Sequence, residues 1–191
     1  MKARALFIFT VILAALGISQ ITFAQQSQRY PTNREIQHLI RNFPSVIQSN
    51  RELLPGNPTA SETQRLQSFV RAWSRVNSTS APFLGQWEIY EAALAIYPSN
   101  IRGRVCIVAL GDMDDVGELG TVVNSQIRTN KNWVIFRQGN YLGIVRIVDN
   151  KPKIFPLGSP LPLESPTRFL REQARQEFNA AGCTASLPNR R

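Results

Sequence analysis

Residues 85–111 read GQWEIYEAALAIYPSNIRGRVCIVALG, and their pattern decides the fold class. The stretch opens on Gly85-Gln86-Trp87, breaks once at Pro98-Ser99-Asn100, and climbs into residues 105–110, VCIVAL, the most β-prone run of the chain. That run predicts a core strand. The segment 87–97 carries mixed signals. Glu91-Ala92-Ala93-Leu94-Ala95 has good helix propensity while its flanks prefer strand, and Gly85 and Pro98 bound it at strand length, so strand is the expectation.

Three further runs rich in β-branched and aromatic residues follow at 119–128, 132–138 and 141–149, with a weaker one at 153–157. Thr129-Asn130-Lys131, Gly139-Asn140 and Asn150-Lys151-Pro152 separate them, each short enough to join neighbouring antiparallel strands. A meander of five or six strands over 83–157, forming an antiparallel sheet or a partly open barrel, is the economical reading.

Two helices are expected before this sheet, within 25–76. Thr32 or Asn33 can cap the first, whose Ile36, Leu39, Ile40 and Phe43 recur at helical spacing and which Pro44 bounds or bends. Thr59 or Ser61 can cap the second, with Leu66, Phe69, Val70 and Trp73 on one apolar face. After a Pro-rich crossing at 156–166, Ser165 followed by Pro166 predicts a last helix over 165–182, its face formed by Phe169, Leu170, Ala174 and Phe178. The sum is one α+β domain over 25–191, two N-terminal helices and one C-terminal helix packed on the sheet.

The first 24 residues stand apart. Lys2 and Arg4 precede an apolar run at 6–16, and a polar tail ends in Thr22-Phe23-Ala24, the pattern of a cleaved secretory signal peptide. The run is shorter than the ~20 residues a spanning helix needs, and no later segment could cross a bilayer. A secreted or periplasmic location follows as the expectation. Cleavage removes Lys2 and Arg4, lowering the formal net charge from +9 to +7. Of the full chain's cations 18 are Arg and 4 are Lys, a bias towards planar, bidentate donors suited to carboxylate, sulfate or phosphate. A basic balance alone speaks of solubility and non-specific adhesion, so no specific nucleic-acid partner is expected. Only one pairing is open to the two cysteines, Cys106 and Cys183, and an oxidising compartment favours that disulfide.

Chemistry-bearing motifs are sparse. The acidic loop containing Asp112, Asp114, Asp115 and Glu118 places Val116 and Val123 where an EF-hand needs ligands, so a solvated hairpin loop is expected, with a weak Ca²⁺ site as the alternative. His38 is the only histidine, and no Gly-x-Ser-x-Gly elbow or phosphate-binding glycine loop occurs. Glu88 and Glu91 point to opposite faces if their segment is a strand, which argues against a shared glycosidase site. No catalytic residue, metal ligand set or cofactor is therefore assigned. The sequon Asn77-Ser78-Thr79 is expected to stay unmodified.

Two resemblances bear on the reading. Gly85-Gln86-Trp87 is similar to the Gly-x-Trp of the first barrel strand in lipocalins; five or six strands fall short of the eight such a barrel needs, so Trp87 is expected to be a core aromatic at a strand start. More of the chain, namely Phe83-Leu84-Gly85-Gln86-Trp87, Ile96-Tyr97-Pro98-Ser99, Arg102-Gly103-Arg104-Val105-Cys106, Gly139-Asn140-Tyr141-Leu142-Gly143 and Phe178-Asn179-Ala180-Ala181-Gly182-Cys183, resembles an uncharacterised family of small secreted cyanobacterial proteins. That resemblance implies a secreted bacterial protein of one domain and brings no activity, cofactor or site residue.

Composition thus favours an exported, non-enzymatic binding or structural module for an anionic envelope or extracellular polymer, or for a protein partner. The alternatives are a small apolar-ligand carrier with a lipocalin-like barrel, and a hydrolase. Arg102, Arg104, Arg128, Arg137 and Arg146 either share one solvent face of the sheet, with Arg104, Arg128 and Arg146 as the contacts, or are scattered over both faces, since the sequence does not fix the register. Mass spectrometry of exported material is predicted to find a chain beginning at Gln25; a chain beginning at Met1 contradicts the signal assignment.

Overall fold

The computed structural model describes residues 29–90, 92–111 and 117–188, so the signal segment and the aspartates of the acidic loop lie outside the described residues. The fold is α+β. One antiparallel sheet runs in strict sequence order through β1 (Gly85–Ile89), β2 (Ala92–Pro98), β3 (Arg104–Gly111), β4 (Gly117–Val123), β5 (Gln126–Thr129), β6 (Val134–Gln138), β7 (Tyr141–Val148) and β8 (Lys151–Leu157). Its two edges nearly meet. The Gln86 N–H donates to Leu161 O at 2.9 Å, the Leu161 N–H to Gln86 O at 2.7 Å and the Gly158 N–H to Glu88 O at 2.7 Å, so β1 pairs with the chain just beyond β8 and the sheet curls into a nearly closed barrel.

The strand count corrects the expected five or six to eight, because two of the anticipated strands each conceal a reversal. Residues 87–97 turn at Tyr90, whose side chain is exposed, and are strand on either side. Residues 119–128 turn at Asn124-Ser125, both left-handed at φ 50° and 59°. Successive positive φ values match the right-handed twist of flanking strands in a tight hairpin. Serine is an unusual choice there, which is why composition did not mark it.

Alternation along each strand separates an inner from an outer side. Trp87, Leu94, Ile96, Val105, Ile107, Ile127, Ile135, Leu142, Ile144 and Leu157 fill the barrel. Outside, α1 (Asn33–Ser49) lays Ile36 and Phe43 on Val134, Phe136 and Val145, while α3 (Glu172–Ala180) and its flanks lay Leu170, Phe178 and Ala181 on Ala95, Tyr97, Cys106 and Val108. Strand β2 is buried on both sides, so its sequence is a continuous apolar run without alternation. The middle helix, α2 (Ala60–Ser74), covers one barrel end with Phe69, Val70 and Trp73, beside Phe83 and Leu84 of the short 3-10 turn that leads into β1.

Local signals explain the helix starts. Thr32 and Thr59 each form a reciprocal capping box, with Glu35 and Glu62 respectively, satisfying otherwise orphan N–H groups. The first helix runs through Pro44 to Ser49. The C-terminal helix is shorter than expected: residues Pro166–Arg168 form a separate 3-10 turn, and Arg171, extended at ψ 161°, interrupts the chain before Glu172. Among the described residues no helix is long and apolar enough to cross a membrane.

Cys106 of β3 and Cys183 are disulfide-bonded, with Cα atoms 6.1 Å apart and a sequence separation of 77. Backbone bonds reinforce the tether, from Asn100 N–H to Gly182 O at 2.9 Å and from Thr184 N–H to Pro98 O at 3.1 Å. Gly182 is left-handed at φ 69°, and a Cβ there would collide with the Asn100 side chain. Phe178 meets Tyr97 edge to face at 5.1 Å, completing the seat of α3. Closing a loop of this size stabilises by about 4–5 kcal/mol in the chain-entropy treatment. The variant carrying Cys106→Ser and Cys183→Ser is predicted to lose stability of that order in urea unfolding, and non-reducing peptide mapping of the native chain should recover the two cysteines linked.

Candidate functional site

The register decides where the arginines point. Arg104 stands opposite Thr121, and Thr121 opposite Arg128, so the three share one side of β3, β4 and β5. That side is outer: Cys106, two residues on from Arg104, packs under α3, and Val134, opposite Arg128, packs under α1. Arg146 follows the outward Val145 and therefore points inward, with Leu142 and Ile144. Arg137 stands opposite Leu142 and is inward as well, while Arg102 sits in the exposed turn before β3.

Of the two arrangements the sequence leaves open, the single arginine face is overturned and the scattered one holds, with two outward arginines and two inward ones at opposite barrel mouths. Aromatic faces make the inward positions tenable. The Arg146 guanidinium lies 4.5 Å from the Phe155 ring centroid and 5.7 Å from that of Trp133, and Arg137 lies 5.5 Å from that of Trp87.

The outer arginines border a strip between α1 and α3 that neither helix fully covers. Thr121 is exposed, and Leu119 and Val123 are 39% and 44% exposed. Arg128 donates from Nη2 to Asn33 Oδ1 at 3.1 Å and lies over the Tyr30 ring, which orients it without neutralising it. Arg104 has no ion pair among the described residues. It lines a groove of about 410 Å³ between the strip and α3, where Phe178 and Ala174 form the apolar wall and Glu177 the one acidic group contributed by α3.

At the barrel mouth where β4 begins, Glu118 stands opposite the inward Ile107 and only 3% of its side chain is exposed. The sequence reading placed it in a solvated loop; the structure places it inside. Lys131 Nζ lies 3.2 Å from Glu118 Oε1 and also faces the Trp133 ring, so two cations and a carboxylate gather around one indole with Arg146. Glu118 Oε2 and Arg146 Nε are buried without a partner. Burial pushes the Glu118 carboxyl above its ordinary value of 4.5, outweighing the charge and hydrogen bonding of Lys131 and the hydrogen bond with Thr129, which act the other way. Sequence reasoning missed this cluster because no motif marks it; only the inward register of position 118 reveals it.

The remaining candidates are dispersed. His38 on α1 meets only the Asn42 side chain, at 3.2 Å, among the described residues. Glu88 accepts a hydrogen bond from Gln86 at 2.7 Å, and Glu91 lies outside the described residues. Among the described residues, no three His, Cys, Asp or Glu side chains converge in a group able to hold a metal ion. Asn77 is 2% exposed and its Nδ2 is buried, so the folded chain conceals the nitrogen that a glycan would need. Comparison with protein-family models, with curated proteins and with solved structures finds no match to this chain.

The raised Glu118 pKa has a defined sign. The folded state binds this proton more tightly than the unfolded chain, so the associated stability is fully present below the unfolded value near 4.5 and is lost as pH rises through the folded pKa. Glu118→Gln is predicted to flatten that part of the stability profile. Urea titrations of both proteins from pH 4 to pH 8 check this, and parallel profiles contradict it.

Proposed function

We propose that this chain is an exported, non-enzymatic binding module whose bare outer strip, Arg104, Thr121 and Arg128, takes an acidic extracellular or envelope polymer. Export rests on the N-terminal sequence pattern. The observation that carries the binding reading is the pairing of two outward guanidiniums across Thr121 on three adjacent strands, in a stretch that the helices leave open. The strip's other outward positions, Leu119, Val123 and Gln126, contribute no carboxylate to compete for them. Strands lie ~4.8 Å apart, which sets the two arginine backbones about 10 Å from each other. That separation suits successive anionic groups on a repeating chain better than one small anion.

The carrier reading has the strand number it formerly lacked, since eight strands in up-and-down order is a lipocalin's arrangement. Fold alone assigns no ligand, however. The barrel interior is occupied by side chains, with Trp87, Leu94, Ile96, Ile107, Ile127, Ile135 and Leu142 all between 0% and 1% exposed, which favours surface recognition over storage within the barrel.

Binding of the mature protein to polygalacturonate is expected to fall steeply between low and physiological salt, as screening requires. The Arg104→Ala and Arg128→Ala double variant should weaken it by about three- to tenfold, the scale of two exposed charge contacts. Arg146→Ala should leave affinity unchanged. Undiminished binding by the double variant would falsify the assignment.

A further inference from the structure

The opposite barrel end from the Glu118 mouth holds a feature that the polymer reading does not use. The turn after α1, α2, the β6–β7 hairpin and the chain following β8 enclose a cleft of about 660 Å³. Small-molecule sites have volumes of this order, a few hundred to about a thousand Å³. Leu66, Val70, Leu84 and Pro160 give it an apolar floor, Thr63, Gln67, Asn140 and Ser159 are among its polar walls, and Arg71 and Arg137 both line it. Among the described residues no carboxylate does, so the two cations share a cleft without an internal counter-charge there.

Arg137 is held as a fixed reagent would be. Its guanidinium carbon lies 5.5 Å from the Trp87 ring centroid, its Nε donates to Gly139 O at 2.8 Å, and its Nη1 donates to Pro82 O at 2.5 Å. These contacts account for its structural role and engage two of its three nitrogens. Nη2 has no partner among the described residues. Arg71 reaches the cleft from α2, with Nε donating to Gln67 O at 3.3 Å and its terminal nitrogens likewise unpartnered among the described residues. A preordered guanidinium loses little further freedom on binding, and over an apolar floor its hydrogen bonds to an anion gain strength.

We propose that this cleft binds a small monocarboxylate with an apolar body, its carboxylate between Arg137 and Arg71 and its body on the floor formed by Leu66, Val70, Leu84 and Pro160. Planar guanidinium forks match the two oxygens of a carboxylate. The sugar acids of an acidic polymer carry the same group on a hydroxylated ring. Such a ring would leave the apolar floor unmatched, so the two sources can be separated by experiment. The site is independent of the Arg104–Arg128 strip, which lies on the barrel's outer side.

Calorimetric titration of the mature protein with octanoate, octanol and galacturonate tests the assignment. Octanoate is expected to bind, with octanol and galacturonate each at least about tenfold weaker, the scale of a lost charged hydrogen bond or of lost apolar burial. Arg71→Gln, on an exposed helix position, should weaken octanoate about tenfold. Val70→Asn should weaken it as well, while the Arg104→Ala and Arg128→Ala double variant should not. Near-UV circular dichroism confirms that each variant keeps its fold. Absence of octanoate binding overturns the proposal, as does octanol or galacturonate binding equally well, or an Arg71→Gln variant of undiminished affinity.

Discussion

The meeting of Arg137 and Trp87 at one 3-10 turn is the contact on which the covered end of the barrel depends. Trp87 is wholly buried, and its indole N–H donates to Phe83 O at 2.8 Å; Arg137, reaching in from β6, donates to Pro82 O beside it. Two donors from opposite sides of the barrel thus satisfy consecutive carbonyls of one 3-10 turn. Arginine suits this position because its separated nitrogens reach Gly139 O and Pro82 O at once, which a compact ammonium does less well. Phe83 and Leu84 are thereby fixed in the core, and α2 rests on them. The start of β1 is then placed for Gln86 to pair with Leu161 and bring the sheet's edges together.

Coverage of the outside follows from which strands are apolar on both faces. Strands β2 and β3 offer Ala95, Tyr97, Cys106 and Val108 outward, and the chain returns after β8 to cover them with α3. Strands β6 and β7 offer Val134, Phe136 and Val145, and α1 covers those. Gly143 permits this second layer: Phe136 lies across it, where any Cβ would meet the ring at 2.5 Å, and Phe43 packs on the far side with its centroid 4.9 Å from that of Phe136. Between the two helices β4 and β5 turn Thr121, Gln126 and Arg128 outward. With only Leu119 and Val123 as apolar outward side chains among them, these strands offer a helix less to bury than their neighbours do.

Much of this architecture was legible in residues. The run at 105–110 is a core strand, Thr32 and Thr59 cap helices, Gly139-Asn140 joins two strands, and the only possible cysteine pair is the disulfide. Each of these signals is local or follows from elimination. Two turns were not legible. Asn124-Ser125 adopts left-handed geometry without glycine, and Tyr90 lies in a segment whose propensities conflict, so two hairpins passed for single strands. That loss propagated. Which side a residue faces depends on register, a shift of one residue reverses it, and register depends on knowing every turn. The site residues were therefore named with their faces unresolved: Arg146 proved inward, and Glu118, read as loop, proved to be a buried carboxylate at a barrel mouth.

The arginine excess consequently divides by how much donor capacity the fold has already used. Arg29 is paired with Glu35, Arg168 with Glu164 and Arg175 with Glu172, so these three are neutralised on the surface where each stands. Arg146 is occupied by two aromatic rings, and its Nε is sealed from solvent. Arg128 has spent one terminal nitrogen on Asn33, and Arg137 has spent Nε and Nη1 on backbone carbonyls. A guanidinium has five N–H donors, so partial use leaves a fixed remainder aimed in a known direction. Preorganised donors of that kind bind an anion with less loss of freedom than an unrestrained surface arginine does. Recognition is therefore best sought where structure has restrained an arginine without exhausting it, and Arg128 and Arg137 meet that condition at two separate places on the barrel.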